Sequence, residues 1–328
     1  MRLDTVVTET PCCLTGSRDA VVVAEKDRHG KPLRTVISTE SGLVFTDPRP
    51  TDDEVRRFYS EEYRLQYKQT HTPKLKHILR AGRNAHARLD RVNAHLTPGA
   101  RVLDAGSGGG EFLHACRAAG YEARGVEPNE GYARFAAEQY GVDVFNGFYE
   151  DLPFAPGSFD CVTLFHVLEH LQEPVEAIRL LANSLKVGGV LVVEVPDVES
   201  TDTAPNQKWH LGHLFNFSRA TLLATGARAG LEAVSTGNPG GNLEAVFRKA
   251  SESTEPLPTD DVLCGSFDRT LGILTHHTAV RHYSLPLVPI SRLVKKVART
   301  FDEKRVTRPY QELPASELLD DLAARRIA

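Results

Sequence analysis

The stretch RVLDAGSGGGE contains an acid, three alternate glycines and a second acid around the end of an apolar run. The glycines are Gly106, Gly108 and Gly110. They let the backbone turn sharply and approach a ligand closely, and a helix that starts there offers free backbone N–H groups. Asp104 precedes the turn, where a carboxylate would face a cationic ligand instead of a pyrophosphate. Glu127 ends the next apolar run, where a carboxylate can accept both hydroxyls of a ribose.

The nicotinamide-binding version of such a turn has glycines at its first, third and sixth places. Here the sixth place is Glu111. Because a single glycine-rich turn is weak evidence, the rest of the chain has to decide the ligand. A nicotinamide oxidoreductase is the poorer interpretation.

Two histidine-bearing segments supply side chains suited to moving a proton near neutral pH. HVLEH contains His166, Glu169 and His170, and KWHLGHLF contains His210 and His213. We predict that His166, His170 and His213 are catalytic, with one of them as general base. His170 can instead order the following loop, and His213 can be a buried histidine with a backbone partner. A metal on this histidine and glutamate set is a further alternative, but our prediction is a site without a metal.

Alternating strands and helices must position these residues, because apolar runs, glycine turns and amphipathic segments repeat from about residue 100 to 250. The predicted strands are RVLDA, EARGVE, FDCVTLF, VLVVEV, LEAVST and NLEAVFRK. The predicted helices follow the glycine turn up to Gly120, run from about Asn129 to Gly141, cover 173–187 with Leu185 inward, and open at Ser218 and Thr221. This alternation predicts a parallel sheet with helices on both faces.

The flanking regions do not follow this rhythm. The first 71 residues contain strand-like runs, AVVVAE, LRTVIS and GLVFTD, and then an acidic helix start at PTDDEVRRFY. Thr72 and Pro73 are predicted as N-cap and first position of a long helix whose apolar stripe runs from Leu75 to Leu96. The predicted regions are 1–71, a linking or lid helix at 72–97, a main domain at 98–250, and a linker with helices at 251–328.

The run from Asp104 to Gly110, Glu127 at the end of the second strand, and FDCVTLFHVLEHLQEP resemble the class I S-adenosylmethionine-dependent methyltransferases. The resemblance covers roughly residues 98–250 and implies S-adenosylmethionine as cofactor and S-adenosylhomocysteine as product. With the flanking patterns, it predicts an α/β fold: a seven-stranded Rossmann-like methyltransferase sheet, a small N-terminal domain and a helical C-terminal extension. The cofactor-binding residues it implies are Asp104, Gly106, Ser107, Gly108, Gly110, Glu127, Pro128, Phe148, Tyr149, Phe165 and His166.

One of these positions departs from the pattern of the family. In many relatives an acid follows the glycine of the third motif and holds the adenine amino group, but NGFYEDLPF has Phe148 in that place. We therefore expect the adenine to be held by the backbone at Tyr149, by stacking on Phe148, or by Glu150 or Asp151.

The N-terminus is similar to the zinc-ribbon start of a methyltransferase group that includes sugar C-methyltransferases. A ribbon needs two separated pairs of thiolates. Here Cys12 and Thr15 stand at the first pair, and Ser38 and Ser41 at the second. We predict a metal-free remnant of that small domain.

The formal net charge of -4 argues against a nucleic-acid partner bound through bulk positive charge. The five cysteines are scattered, and the first residues lack the apolar run of a signal peptide. We predict a cytoplasmic protein without membrane insertion, with a homodimer left open. The predicted function is methyl transfer to a small polar acceptor, such as a sugar, a sugar nucleotide or a secondary metabolite. The alternative is a catalytically inactive binding or scaffold protein on the same fold.

Overall fold

The structure is a computed structural model that describes residues 5–51, 54, 73–253, 255–284 and 288–327. The chain divides into two compact units, which are described one at a time. The first unit takes residues up to 64, 164–182 and 191–285, and the second takes 65–163, 183–190 and 286–328.

The described strands, in chain order, are β1 (Thr5–Val7), β2 (Asp19–Lys26), β3 (Pro32–Ser38), β4 (Val44–Thr46), β5 (Arg101–Ala105), β6 (Glu122–Glu127), β7 (Asp143–Asn146), β8 (Phe159–Phe165), β9 (Leu185–Pro196), β10 (Phe215–Asn216), β11 (Glu232–Gly237) and β12 (Asn242–Arg248). The described α-helices are α1 (Leu75–Asn93), α2 (Glu111–Ala118), α3 (Glu130–Tyr140), α4 (Pro174–Asn183), α5 (Arg219–Arg228), α6 (Asp260–Leu263), α7 (Ser266–His276), α8 (Ala279–Tyr283), α9 (Val288–Thr307) and α10 (Ala315–Ile327).

The larger sheet has seven strands in the order β11-β12-β9-β8-β5-β6-β7. β5 pairs in parallel with both β6 and β8, and β6 pairs in parallel with β7. β11 pairs antiparallel with β12. The predicted α/β class with a seven-stranded sheet is confirmed. The strand order reverses at β5 and β8, and ligands of such sheets bind beyond the carboxyl ends of the strands at this switch point.

In the second unit, α1 lies against α2, α9 and α10. Its buried face includes Ile78, Leu79, Leu89 and Val92, as the predicted stripe required. Two corrections apply to its ends. Lys74 is the N-cap with extended backbone, so Pro73 precedes the helix, and predicted cap Thr72 lies outside the described residues. The helix ends at Asn93, so Leu96 lies beyond it.

The helix predicted over 173–187 is also corrected. α4 ends at Asn183, and Leu185 is the first residue of β9 rather than a helix residue. The carbonyl oxygens of Asn183 and Ser184 accept the backbone N–H groups of Gly157 and Phe159, both at 2.9 Å. The segment that enters β8 thus takes the carbonyls that a longer helix would have used, and β9 is longer than the predicted VLVVEV.

The first unit contains an antiparallel sheet with the order β1-β2-β3-β4-β10. One face packs Ile37, Val44 and Trp209 against Phe267 and Leu271 of α7. β10 was not predicted, because a strand of two residues leaves almost no sequence pattern. α5 begins with the predicted cap: Ser218 and Thr221 form a reciprocal capping box.

The predicted zinc-ribbon positions lie close together in this unit. The Sγ atom of Cys12 is 3.2 Å from Oγ of Ser41, and the backbone N–H of Ser41 lies 3.4 Å from Oγ of Ser38. All three residues are buried, whereas Thr15 is exposed. One thiol and two hydroxyls therefore meet where a ribbon would have thiolates, and the remnant interpretation stays a prediction. The predicted domain boundaries also stay predictions.

Candidate functional site

The glycine turn follows β5 and leads into α2. Gly106, Gly108 and Gly110 have φ values of 79°, 53° and 86°, a backbone region that favours glycine. The backbone N–H groups of Gly106 and Ser107 donate to the carbonyl oxygen of Val126 on β6 at 2.9 and 3.0 Å. These bonds fix the turn beside the end of β6. A Cβ on Gly110 would lie 2.7 Å from Cβ of Ala136, so this glycine also lets α3 pack closely.

Glu127, at the end of β6, is held in a fixed orientation by two backbone donors. Its Oε2 accepts the N–H of Gly108 at 2.9 Å, and its Oε1 accepts the N–H of Asn129 at 2.9 Å. Burial raises the pKa of Glu127, and the two backbone bonds oppose this rise. Each carboxylate oxygen retains acceptor capacity after these bonds. The carboxylate is thus oriented to accept the two hydroxyls of a ribose.

Asp104 lies one residue before the end of β5 and is 4% exposed. Its Oδ1 accepts a hydrogen bond of 2.6 Å from Oγ1 of Thr163, its neighbour on β8. Burial raises the pKa of Asp104 to about 6, although the Thr163 bond acts in the opposite direction. A buried carboxylate that ionises reluctantly gains from a nearby cation, so the position suits a ligand with positive charge.

The end of β7 adds the residues predicted around the base of the ligand. The N–H of Gly147 donates to the carbonyl oxygen of Glu127 at 3.3 Å, and the side chain of Asn146 donates to the same oxygen at 2.9 Å. Phe148 follows directly and is 46% exposed, while Tyr149 is half-buried. An aromatic ring of that exposure, close in sequence to the end of β7 and beside Glu127, has the chemistry to stack on a planar base.

The residues of this turn fit S-adenosylmethionine in charge and shape. Asp104 would offer a carboxylate to the cationic part of the ligand, and Glu127 would offer an oriented carboxylate to its ribose. Ser107 adds a buried hydroxyl that has no hydrogen-bond partner in the described chain, and a Cβ on Gly108 would meet nothing within 4 Å. The predicted residues of the second unit are therefore brought together; they are Asp104, Gly106, Ser107, Gly108, Gly110, Glu127, Pro128, Phe148 and Tyr149.

Comparison with known proteins agrees with this geometry. Residues 75–236 match the family model described as "Methyltransferase domain". Over these residues the chain is similar to methyltransferase domains. The glycine turn and Glu127 lie within the matched residues, and the seven-stranded sheet overlaps them.

Curated relatives share a shorter segment. The chain is 39% identical over 111 residues to a protein named "Ubiquinone biosynthesis O-methyltransferase" from Xanthomonas campestris pv. campestris (strain B100), covering 32% of this chain and 46% of that protein. The protein of the same name from Xanthomonas axonopodis pv. citri (strain 306) has the same identity and coverage. The chain thus spans about half the length of the curated relatives it matches.

Solved structures show a more distant likeness. A Burkholderia thailandensis 1,6-didemethyltoxoflavin-N1-methyltransferase, solved with S-adenosylhomocysteine, has a TM-score of 0.47 and 20% identity over 66% of this chain and 98% of that chain. A Thermotoga maritima protein described as a possible histamine N-methyltransferase has a TM-score of 0.45 and 23% identity over 60% of this chain and 98% of that chain. Similarity at this level is too low to assign a substrate.

The first unit contains the histidines predicted to be catalytic, which form a cluster there. His166 follows β8 and, among the described residues, is the one non-glycine residue with a positive φ, at 56°. Its Nε2 is 3.1 Å from Oε1 of Glu194, and its Nδ1 is 3.5 Å from Oε1 of Glu169. Although burial opposes protonation, these two carboxylates raise the pKa of His166 to about 9. A ring held protonated in this way is poorly suited to accept a proton at neutral pH.

His170 and His213 lie beside each other in this cluster, with ring centroids 4.9 Å apart, and His210 lies 5.1 Å from His213. Burial, with the charge of His170 as the next contribution, lowers the pKa of His213 to about 3. Burial also lowers the pKa of His210 to about 4. Nδ1 of His210 accepts the N–H of Gly212 at 3.0 Å, as a neutral ring can. His213 and His210 are therefore uncharged near neutral pH.

Two partners of His166 were missed by the sequence analysis. Glu194 is a buried acid inside the apolar strand VLVVEV, which was a signal that could have been used. The side-chain amide nitrogen of Asn242, at the start of β12, is 3.3 Å from both Nε2 of His166 and Oε1 of Glu194; no sequence pattern pointed to it. The structure groups His166, His170 and His213 in the first unit, with Phe165 buried at the end of β8.

No helix in the described part of the chain combines the length and the apolar composition that a membrane span requires.

Proposed function

We propose that this protein catalyses methyl transfer from S-adenosylmethionine to an oxygen atom of a small polar acceptor. The observation that carries the proposal is Glu127, whose two carboxylate oxygens are oriented by the N–H groups of Gly108 and Asn129 beside the glycine turn. A carboxylate held by two backbone donors supports binding of a ribose diol at this position. The methyltransferase domain match over residues 75–236 supports the same conclusion.

Transfer to oxygen is supported by the curated relatives, which are named O-methyltransferases, although they share only part of their length with this chain. The acceptor class remains that of the sequence analysis: a sugar, a sugar nucleotide or another secondary metabolite. When bound, S-adenosylmethionine supplies the electrophilic methyl group. The protein has to hold the acceptor in line and to provide for loss of its hydroxyl proton.

We assign the proton-accepting function to the histidine cluster and narrow it to His170 and His213. His166 is excluded as the proton acceptor because the nearby carboxylates of Glu169 and Glu194 raise its pKa to about 9. Its part is to carry a positive charge between these two acids. An inactive scaffold is the second candidate, favoured by Phe148 in place of the adenine-binding acid. Only a measurement of turnover distinguishes it from an active enzyme.

The test is incubation with S-adenosylmethionine carrying a deuterated methyl group and a panel of phenolic, sugar and nucleotide-sugar acceptors. Mass spectrometry should find the labelled methyl on an acceptor and an equal amount of S-adenosylhomocysteine. Glu127→Gln should abolish both, whereas Glu122→Gln, an exposed acid at the start of the same strand, should preserve both. Tight cofactor binding without turnover on any acceptor would favour the scaffold.

A further inference from the structure

Glu169 is a buried acid whose surroundings do not satisfy it. The residue is 1% exposed, and neither carboxylate oxygen has a hydrogen-bond partner in the described chain. The basic side chains within ion-pair distance of it there are His166, with Nδ1 at 3.5 Å, and His170, with Nε2 at 3.7 Å. A carboxylate removed from water is costly unless a charge and direct ligands compensate it. Both distances exceed those of ordinary N–H···O bonds.

The orientation of His170 also suits a metal ligand. Nδ1 of this ring lies 2.6 Å from the carbonyl oxygen of Gly212. Because a carbonyl can only accept, Nδ1 carries a hydrogen, and Nε2, 3.7 Å from the Glu169 carboxylate, is the ring atom that can bind an ion. A backbone carbonyl that fixes the tautomer of a histidine in this way is the usual outer contact of a metal ligand.

His213 completes a set of three potential ligands. One ligand atom from each of Glu169, His170 and His213 lies within 4.8 Å of the other two. Ligand atoms about 2.1 Å from one tetrahedral ion lie roughly 3.4 Å apart, so side-chain rotations must close the remaining gap. The segment that carries His213 is anchored, since its N–H donates to the carbonyl oxygen of His210 at 2.9 Å.

The geometry points to a divalent transition-metal site formed by Glu169, His170 and His213. Two imidazoles and one carboxylate suit ions of the Zn²⁺, Co²⁺ or Fe²⁺ type better than Mg²⁺. Three protein ligands leave a coordination position for water or a hydroxyl oxygen. The sequence analysis predicted no metal, and this inference replaces that prediction. Its consequence for catalysis rests on the proposed function: with the ion bound, His170 and His213 are ligands, and the ion lowers the pKa of a coordinated hydroxyl.

The experiment uses the full chain stripped with a chelator, dialysed against Co²⁺ and freed of excess ion. We expect about one Co²⁺ per chain, with visible absorption of low-symmetry, nitrogen- and oxygen-ligated Co²⁺. Co²⁺ affinity should fall about a hundredfold in each of the variants Glu169→Gln, His170→Gln and His213→Gln. A loss of this size is at or beyond the upper end of the range for mutation of residues that only contact a metal ligand. The matched control is His276→Gln, an exposed histidine at the end of α7 in the same unit.

The affinity for S-adenosylhomocysteine serves as the control for correct folding, and each variant should retain it. Parent protein that binds no Co²⁺, or variants that bind it as tightly as the parent, would overturn the inference. Binding lost in Cys12→Ser but kept in Glu169→Gln would also overturn it, because the ion would then belong to the N-terminal thiols. Metal binding without methyl transfer would leave this inference standing and count against the proposed function, whereas full turnover by metal-free protein would remove the catalytic consequence.

Discussion

Replacing Asp104 by asparagine tests whether the cofactor site costs the protein stability. In the folded chain, burial raises the pKa of this carboxyl from 3.8 to about 6. That rise corresponds to about 3 kcal/mol of stability lost once both folded and unfolded chains are ionised. The sign follows from proton binding: the folded state holds the proton more tightly, so stability falls as pH rises from about 4 through 6. Between pH 4.5 and 7.5 the loss is about 2 kcal/mol.

Asp104→Asn removes this ionisation and keeps an oxygen that can accept the bond from Thr163. Its amide N–H groups lack the carboxylate's contacts, which costs about 1 kcal/mol at any pH. We therefore expect the ligand-free variant to gain about 2 kcal/mol on the parent between pH 4.5 and 7.5, while losing affinity for S-adenosylmethionine.

The assay is urea denaturation of ligand-free protein, followed by far-ultraviolet circular dichroism at both pH values. Other titrating groups cancel in the comparison because the two proteins share them. Asp143→Asn is the control, since its side chain is 67% exposed, and it should stay within about 0.5 kcal/mol of the parent. A stability difference between Asp104→Asn and the parent that is the same at both pH values would refute the reasoning.

Three further predictions concern single positions. Glu127→Gln should weaken S-adenosylhomocysteine at least about tenfold in calorimetry, because one charge-assisted acceptor is lost; an unchanged Kd would contradict the ribose assignment. Gly110→Ala should lower the free energy of unfolding by about 3 kcal/mol in urea denaturation, because strain at positive φ adds to the clash with α3. The control Gly120→Ala has φ 86° and nothing within 4 Å of the added Cβ, so it should lower this free energy by about 1 kcal/mol. Equal losses would show that residue 110 does not contact α3 tightly. Ser218→Ala should lower the free energy of unfolding by about 1 kcal/mol through loss of the α5 cap, and no change would show that the cap is not formed.

Local patterns were sufficient for several central elements of the seven-stranded sheet. β5, β6 and β8 begin and end where the apolar runs do, and Asn129 and Gly141 cap α3 as predicted. Each of these signals lies within a few residues of the element it defines. The roles proposed for Asp104 and Glu127 rest on their places at strand ends, which the parallel topology brings to one edge.

Contacts between distant segments could not be predicted. α4 stops early because the backbone N–H groups of Gly157 and Phe159 donate to the carbonyl oxygens at its end. No residue inside the helix indicates these contacts. The orphaned oxygens of Glu169 depend on the placement of Gly212 and His213, more than 40 residues further along the chain. The metal site inferred above therefore could not be derived from the sequence: spacing shows ligand types, but only the fold shows which of them lie together.

The central claim is that the glycine turn and Glu127 bind S-adenosylmethionine. Calorimetric titration of the full chain with S-adenosylmethionine, S-adenosylhomocysteine and NAD tests it most directly. The account predicts binding of the first two at about one molecule per chain and no binding of NAD. Binding of NAD in the absence of S-adenosylhomocysteine binding would contradict it.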